Sequence, residues 1–504
     1  MKKNRFYLHY SMVIFLFLAS CRGTQPEVTE TRKYVASTQV VHPDWTESAV
    51  IYEANIRQHT AEGTFKAFTE DLPRIKDMGV DIIWLMPVFP IGELNRKASQ
   101  SVLVEEIEDI SERSRILGSY YSIRDYITVN PEFGTLHDFR ELITEIHSLN
   151  MYVILDIAVN HTAWDHKWIT EHPDYYTRID SDSLPWNPQW MAEHPAYYER
   201  IRNLGMTYPV DPNETDWWDV ADLNFNNRRL RNELKEVFKY WVSELDVDGY
   251  RCDVAGWVPC DFWDEIRAAL DSIKPVFMLA EDESNYCLME KAFDMNYGWE
   301  LHHVMNSIAR EENTVNALQD YYNRMDSIFN PAIFRMNFIT NHDENSWNGT
   351  EFERFGEAVE VFAMLMFTLP GMPLLYTGQE IGMNKRLKFF EKDTAESGDG
   401  KWEQFYTSMI EMKKEHNVFW NGEAGSSFRI IPVADSTGVF AFERSNDDET
   451  FVILANLGPE KVEVMLDESF ADRQFFDIFS EDEVIFSKSV KLKGYEYKVL
   501  SEDF

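Results

Sequence analysis

The chain has 504 residues, with 48 lysines and arginines against 86 acidic residues, and a formal charge of −38. At roughly 150 residues per domain this length allows about three domains, although one barrel can absorb about 250 alone. A hydrophobic share of 44% suits a large core and 14% aromatics argue against disorder, while the acidic excess repels phosphate backbones and argues against nucleic-acid binding.

Lys2, Lys3 and Arg5 precede an apolar stretch from Met12 to Ala19, then Ser20-Cys21. This is the layout of an export signal over residues 1–20, too short to remain as a membrane span. Leu18-Ala19-Ser20-Cys21 resembles a bacterial lipobox, which implies lipidation of Cys21 and anchoring to a bacterial membrane, on the periplasmic or cell-surface side. Residues 21–44 are polar and aperiodic and read as a tether. Cys252, Cys260 and Cys287 show no disulfide framework or metal spacing, so buried free thiols are expected.

Strand-like runs then occur at Ala49-His59, Val80-Phe89, Met151-Asp156, Val247-Asp253, Val276-Glu281, Ala292-Asn296, Arg335-Asp343 and Met372-Glu380. Helical patterns lie between most of them, as at Thr135-Leu149, Arg229-Leu245, Asp261-Ser272 and Phe355-Thr368, with a last one near Trp402-His416. Eight strands alternating with helices predict a closed parallel (β/α)8 TIM barrel over residues 45–420. Near-continuous apolar runs such as Tyr152-Val-Ile-Leu155 suit strands buried on both faces. Short alternating strands at Ser427-Val433, Gly438-Arg444, Thr450-Ala455, Lys461-Met465 and Val490-Leu500, with Gly and Asn/Asp turns between, predict a C-terminal β-sandwich, residues 421–504.

Two segments exceed an economical barrel. Gly92 to Leu117 holds the acidic run Val104-Glu-Glu-Ile-Glu-Asp-Ile-Ser-Glu112, for which a solvated surface loop is the expectation. Residues 161–222 form a loop subdomain after the third strand, rich in tryptophan (Trp164, Trp168, Trp186, Trp190, Trp217, Trp218). Glu171-His-Pro-Asp-Tyr-Tyr-Thr-Arg-Ile179 is echoed by Glu193-His-Pro-Ala-Tyr-Tyr-Glu-Arg-Ile201, a duplicated loop element rather than a solenoid. Barrel enzymes build their sites from such loops, so this segment is expected to wall a cleft.

The chemistry-bearing residues sit at strand ends. Asp156, Asp253, Glu281 and Asp343 end the third, fourth, fifth and seventh predicted strands, and in a barrel those ends converge on one face. His161, Arg251 and His342 lie around them as donors and positive charges.

These residues resemble the α-amylase family of glycoside hydrolases, in nine motifs in the family's order. They are Leu85-Met-Pro-Val-Phe-Pro90, Tyr121-Ser-Ile-Arg-Asp125-Tyr126, Val129-Asn-Pro-Glu-Phe-Gly134, Asp156-Ile-Ala-Val-Asn160-His161, Ala221-Asp222-Leu-Asn224, Gly249-Tyr-Arg251-Cys-Asp253, Val276-Phe-Met-Leu-Ala-Glu281, Phe338-Ile-Thr-Asn341-His342-Asp343 and Pro370-Gly-Met-Pro-Leu-Leu-Tyr-Thr-Gly-Gln-Glu380. The resemblance implies that Asp253 is the nucleophile, Glu281 the general acid/base and Asp343 the transition-state stabiliser. Retaining hydrolysis needs one ionised carboxylate and one protonated carboxyl. Arg251, two residues before Asp253 on a strand, shares its face and is expected to hold it ionised, while neighbouring acids should raise Glu281. By the same resemblance His161 and His342 bind sugar hydroxyls, Tyr121 is the platform beneath the ring, and Asp156 organises Arg251.

Asn160 and Asp222 match positions that hold a structural calcium in many members, and oxygen ligands suit that ion. Gly256-Trp257 stands where many members carry a Lys-His pair beside a ligating carbonyl, which leaves calcium open and offers Trp257 as a sugar-stacking surface. No organic cofactor is implied. The implied substrate is an α-glucan (starch, glycogen or maltooligosaccharides) cut at α-1,4 bonds. Action on α-1,6 bonds or short oligosaccharides, or glucosyl transfer, is the enzymatic alternative, and cleft shape decides between them. A noncatalytic glycan-binding lipoprotein is the alternative of another class; the intact carboxylate trio argues for the enzyme. The sequence names no protein partner.

Overall fold

In a computed structural model of the chain the described residues are 35–99, 102–177, 217, 219–396, 400–433, 438–466, 470, 473–480, 482–485 and 489–502. The export signal, Cys21, most of the tether, Trp186, Trp190, Trp218 and the second copy of the loop echo lie outside them.

Eight parallel strands close a barrel in sequence order: Ile51–Ala54, Ile82–Leu85, Tyr152–Ala158, Gly249–Asp253, Phe277–Ala280, Met295–Tyr297, Phe334–Asn337 and Met372–Tyr376. Each falls within or beside a run expected to be a strand. Alternation along the strands makes two cores. Ile51, Ile82, Trp84, Ile154, Leu279 and Leu374 fill the interior, while Tyr52, Ile83, Leu85, Val153 and Leu155 face the helices. The same alternation turns Glu53, Asp156, Arg251 and Asp253 inward.

The helices bury one face each. Phe65–Asp77 buries Phe65, Phe68, Leu72 and Ile75, and is capped by Thr64 Oγ1 accepting from Ala67 N–H. Leu136–Ser148 starts at a capping box of Thr135 and Asp138. Arg228–Ser243 follows Asn227, whose side chain accepts from Arg229 N–H.

The C-terminal region is all-β. An antiparallel six-stranded sheet holds Ser427–Ile430, Val439–Ser445, Thr450–Asn456, Tyr497–Ser501, Gln474–Asp477 and Glu483–Ile485, in that spatial order, beside a pair formed by Val462–Val464 and Val490–Leu492. Phe440, Phe442 and Phe451 pack towards the barrel, whereas Val439, Ala441, Val452 and Leu454 join Val464 and Leu492 in a second core. Opposite faces of one sheet thus serve two cores. Gln474–Asp477 and Glu483–Ile485 were not expected as strands, and the single run expected at 490–500 is two strands.

The cysteine expectation is corrected. Cys260 and Cys287 form a disulfide, with Cα atoms 6.1 Å apart; only Cys252 is a buried free thiol among the described residues. They sit on the helices Cys260–Asp271 and Cys287–Lys291, which follow neighbouring barrel strands, so the fold rather than the spacing brings them together.

Candidate active site

Strand register builds the floor of the site. Asp156 pairs with Arg251 and Ala158 with Asp253 across the third and fourth strands, and Cys252 pairs with Ala280 just before Glu281. Arg251, fully buried, therefore meets three acids. Its Nη1 donates to Asp156 Oδ1 (2.9 Å) and Asp253 Oδ1 (2.8 Å), and its Nη2 lies 2.8 Å from Glu281 Oε2, an ion pair without hydrogen-bond alignment. Trp84 and Tyr297 enclose the guanidinium, and Tyr297 Oη accepts from Nε (3.2 Å). Removing this charge would strand buried carboxylates, so the cluster is an interdependent unit.

Asp343 lies six residues beyond the seventh strand's last residue, Asn337, at the head of the helical turn Glu344–Asn348 rather than at the strand end as expected. Its carboxylate approaches His342 Nε2 (3.3 Å) and accepts from Trp347 Nε1 (3.3 Å). His342 Nδ1 contacts Glu53 Oε1 (2.5 Å) and its Nε2 lies 2.8 Å from Tyr121 Oη. Burial alone would lower His342, but the flanking carboxylates of Asp343 and Glu53 outweigh it and raise the ring to about 9, so both nitrogens carry protons at neutral pH. The order is then set: His342 donates to Glu53 and to Tyr121, and Tyr121 donates to Asp156 Oδ2 (3.2 Å). Glu53, fully buried on the first strand, was not singled out from the sequence; an acid at an inward strand position was the available signal.

The carboxyls divide. Burial raises Glu281 to about 7; Arg251 opposes this and the charges of Asp253 and Asp343 add to it. The expectation credited the neighbours, but desolvation is the larger cause. Burial also moves Asp253 upward and Asp156 to about 6, against the pull of Arg251 on both. Arg251 thus favours the ionised forms as expected without winning outright. Asp253 and Glu281 are close enough to share a hydrogen bond. Glu281 Oε2 also accepts from Val254 N–H (2.8 Å), and Val254 holds φ +40°, a left-handed conformation costly for a β-branched residue. That strain aims a backbone donor at Glu281.

Asp253, Glu281, Asp343, His342, Tyr121 and His161 line one cavity of about 190 Å³. Trp217, from the tryptophan-rich segment expected to wall a cleft, adds an aromatic wall together with Trp347, Phe389 and Phe390, which no motif named. His161 is buried and lowered to about 4 by desolvation, hence neutral, and pairs with Asp222 in a short antiparallel ladder. Trp257 is 45% exposed and packs on Trp217 with ring centres 5.3 Å apart, forming an open aromatic surface beside the cavity. A Cβ at Gly256 would come within 2.2 Å of Asp282 Oδ2, so a larger residue there needs that carboxylate to turn away. Trp164 and Trp168, in contrast, are core residues, 1% and 5% exposed.

Among the described residues no group of three His, Cys, Asp or Glu is placed to hold a metal. Asn160 and Asp222 offer two oxygen-bearing side chains at the ladder, and desolvation raises Asp222 to about 7. Amide and carboxylate oxygens suit a calcium ion in kind.

The family described as "Alpha amylase, catalytic domain" matches residues 35–437, and "Maltogenic Amylase, C-terminal domain" matches 428–499. Alpha-amylase 3 of Dictyoglomus thermophilum is 27% identical over 371 residues, 67% of this chain and 65% of that protein. Alpha-amylase MalA of Haloarcula japonica is 27% identical over 84% of this chain and 57% of its own length. This chain thus spans less than two thirds of either curated relative. A maltogenic alpha-amylase, AmyB, of Thermotoga neapolitana superposes with a TM-score of 0.74 at 26% identity, covering 90% of this chain and 98% of that one.

Proposed function

Because the chain belongs to the alpha-amylase family, we propose that it is a retaining glycoside hydrolase cutting α-glucosidic bonds, chiefly α-1,4, of starch, glycogen or maltooligosaccharides. One observation carries this reading: three carboxyls, at or beyond the ends of three different barrel strands, face one cavity, and burial gives Glu281 a raised proton affinity beside Asp253.

In this mechanism Tyr121, braced by the imidazolium of His342, lies beneath the sugar ring, and His161 meets its hydroxyls. Asp253, held by Arg251, attacks the anomeric carbon while Glu281 gives its proton to the leaving oxygen. The closeness of the two carboxyls, within hydrogen-bonding reach of each other, supports retention over inversion. Asp343 faces the positive charge that develops on the ring. Glu281, now ionised, then takes a proton from water, which opens the glycosyl-enzyme. Transfer to a sugar acceptor is a second reading, favoured by the open Trp217–Trp257 surface on which an acceptor ring can stack.

Calcium, export and anchoring are parts of the same proposal. Asn160 and Asp222 would hold a calcium that braces the ladder 161–163 with 220–222 and takes no part in the chemistry. The signal layout supports export with a lipid on Cys21, and the Cys260–Cys287 bond suits an oxidising compartment. A reducing-sugar assay on starch tests the hydrolase: release by wild type but not by Asp253→Asn or Glu281→Gln is expected. Glucan binding without any release would leave the noncatalytic reading in its place.

A further inference from the structure

The insertion between the second strand and its helix carries a lysine that the chemistry above does not use. Its acidic run is exposed as expected, but its base is not a solvated loop: Asn95, Lys97, Leu103 and Ile116 are buried. Lys97 is 7% exposed and lines the cavity of Asp253, Glu281 and Asp343. Among the described residues its ammonium has no ion pair or side-chain hydrogen bond, and the cavity acids lie beyond salt-bridge reach. Its backbone is nonetheless held, by pairing with Leu103 and by Val104 N–H donating to Arg96 O and Ala98 N–H to Val102 O (both 2.8 Å). A charged donor in the wall of an acidic cavity, bound to no acceptor among the described residues, is available to the oxygens of a ligand.

Its place in the barrel says which part of a substrate does so. The strands run round the barrel in sequence order, so the loops after strands two and eight flank strand one and face strand five, which carries Glu281. The insertion docks on the segment after strand eight: Leu117 and Gly118 N–H donate to Phe390 O (2.7 and 3.1 Å), and Ile116 bridges Glu391. The acid protonates the leaving oxygen, so the leaving sugar departs on the Glu281 and Trp257 side. The retained sugars lie across the mouth, towards Lys97. A cavity of about 190 Å³ is smaller than the roughly 300–1,000 Å³ of pockets that enclose a whole ligand, which leaves a second ring to meet the wall that Lys97 shares with Phe390.

We propose that Lys97 is a substrate-binding residue whose ammonium donates to hydroxyls of the retained, non-leaving part of an α-glucan, and so sets how many sugars the enzyme holds on that side. This rests on the hydrolase reading of the same cavity.

The test is calorimetric binding of maltotetraose to Glu281→Gln and to Glu281→Gln carrying Lys97→Met or Lys97→Arg. Loss of a charged donor should weaken binding about 10- to 100-fold in the Met variant, with partial recovery in the Arg variant. In the otherwise native enzyme Lys97→Met should raise KM similarly while kcat changes by less than about threefold, with an unchanged thermal midpoint. Equal maltotetraose affinity with and without Lys97→Met, together with an unshifted KM, would overturn the assignment, as would no binding by either protein. Lys97-dependent binding by a wild-type chain that releases no sugar would overturn only the hydrolase reading.

Discussion

The protonation of Glu281 offers the sharpest quantitative test of the mechanism. Its carboxyl is raised from an ordinary 4.5 to about 7, chiefly by burial, with Asp253 and Asp343 adding to the effect and Arg251 opposing it. That shift corresponds to about 3 kcal/mol favouring the proton in the folded protein. At pH 6 roughly 90% of the molecules then carry the acid, against roughly 3% for an unperturbed glutamate. The sign for stability follows: the folded chain holds a proton that the unfolded chain has released between about 4.5 and 7, so this contribution is present below that window and is lost as pH rises through it. For activity, kcat/KM on a maltooligosaccharide should fall above about pH 7 with the loss of one proton. Repeating the profile with an aryl maltoside whose leaving group needs little protonation should flatten that limb. Glu281→Ala should then lose far less on the activated substrate than on the natural bond. An alkaline limb near 4.5, or one indifferent to the leaving group, would refute the assignment of Glu281 as the acid.

Arg251→Met should abolish activity and lower stability by about 3–5 kcal/mol, because Asp156, Asp253 and Glu281 lose their shared cation; thermal unfolding and a reducing-sugar assay check both. Glu53→Gln should bring His342 down from about 9, read by NMR of labelled histidine. In the native protein the stability from charged His342 is complete below about 6.5 and lost as pH rises through about 9, and the variant, left with Asp343 alone, should show a weaker dependence. If Asn160 and Asp222 hold calcium, millimolar calcium should raise the thermal midpoint and Asp222→Asn should remove the response; an indifferent wild type contradicts that part.

The barrel could be read from the chain because its strands are short apolar runs buried on both faces, and every inward acid or base on them obeys the period of two. Asp156, Arg251 and Asp253 are therefore legible in the sequence alone, and register explains why they touch. Glu53 obeys the same rule, yet its run, Ile51–Ala54, reads as one more apolar strand. What escaped the sequence is mostly tertiary. Lys97, Phe389 and Phe390 meet the site only because the insertion docks on the segment after the last strand. Cys260 and Cys287 pair because two helices are neighbours around the barrel. The strands Gln474–Asp477 and Glu483–Ile485 carry too few alternating apolar positions to be seen as a pattern.

Retention through Asp253 requires a covalent link between that residue and a sugar. Incubating the protein with a fluorinated α-glucosyl fluoride, which forms the glycosyl-enzyme quickly and releases it slowly, and mapping the adduct by peptide mass spectrometry would show it. The expected result is one added glycosyl group on the peptide bearing Asp253, absent from Asp253→Asn. No adduct from a chain that hydrolyses starch, or an adduct on Glu281 or Asp343, would contradict the mechanism.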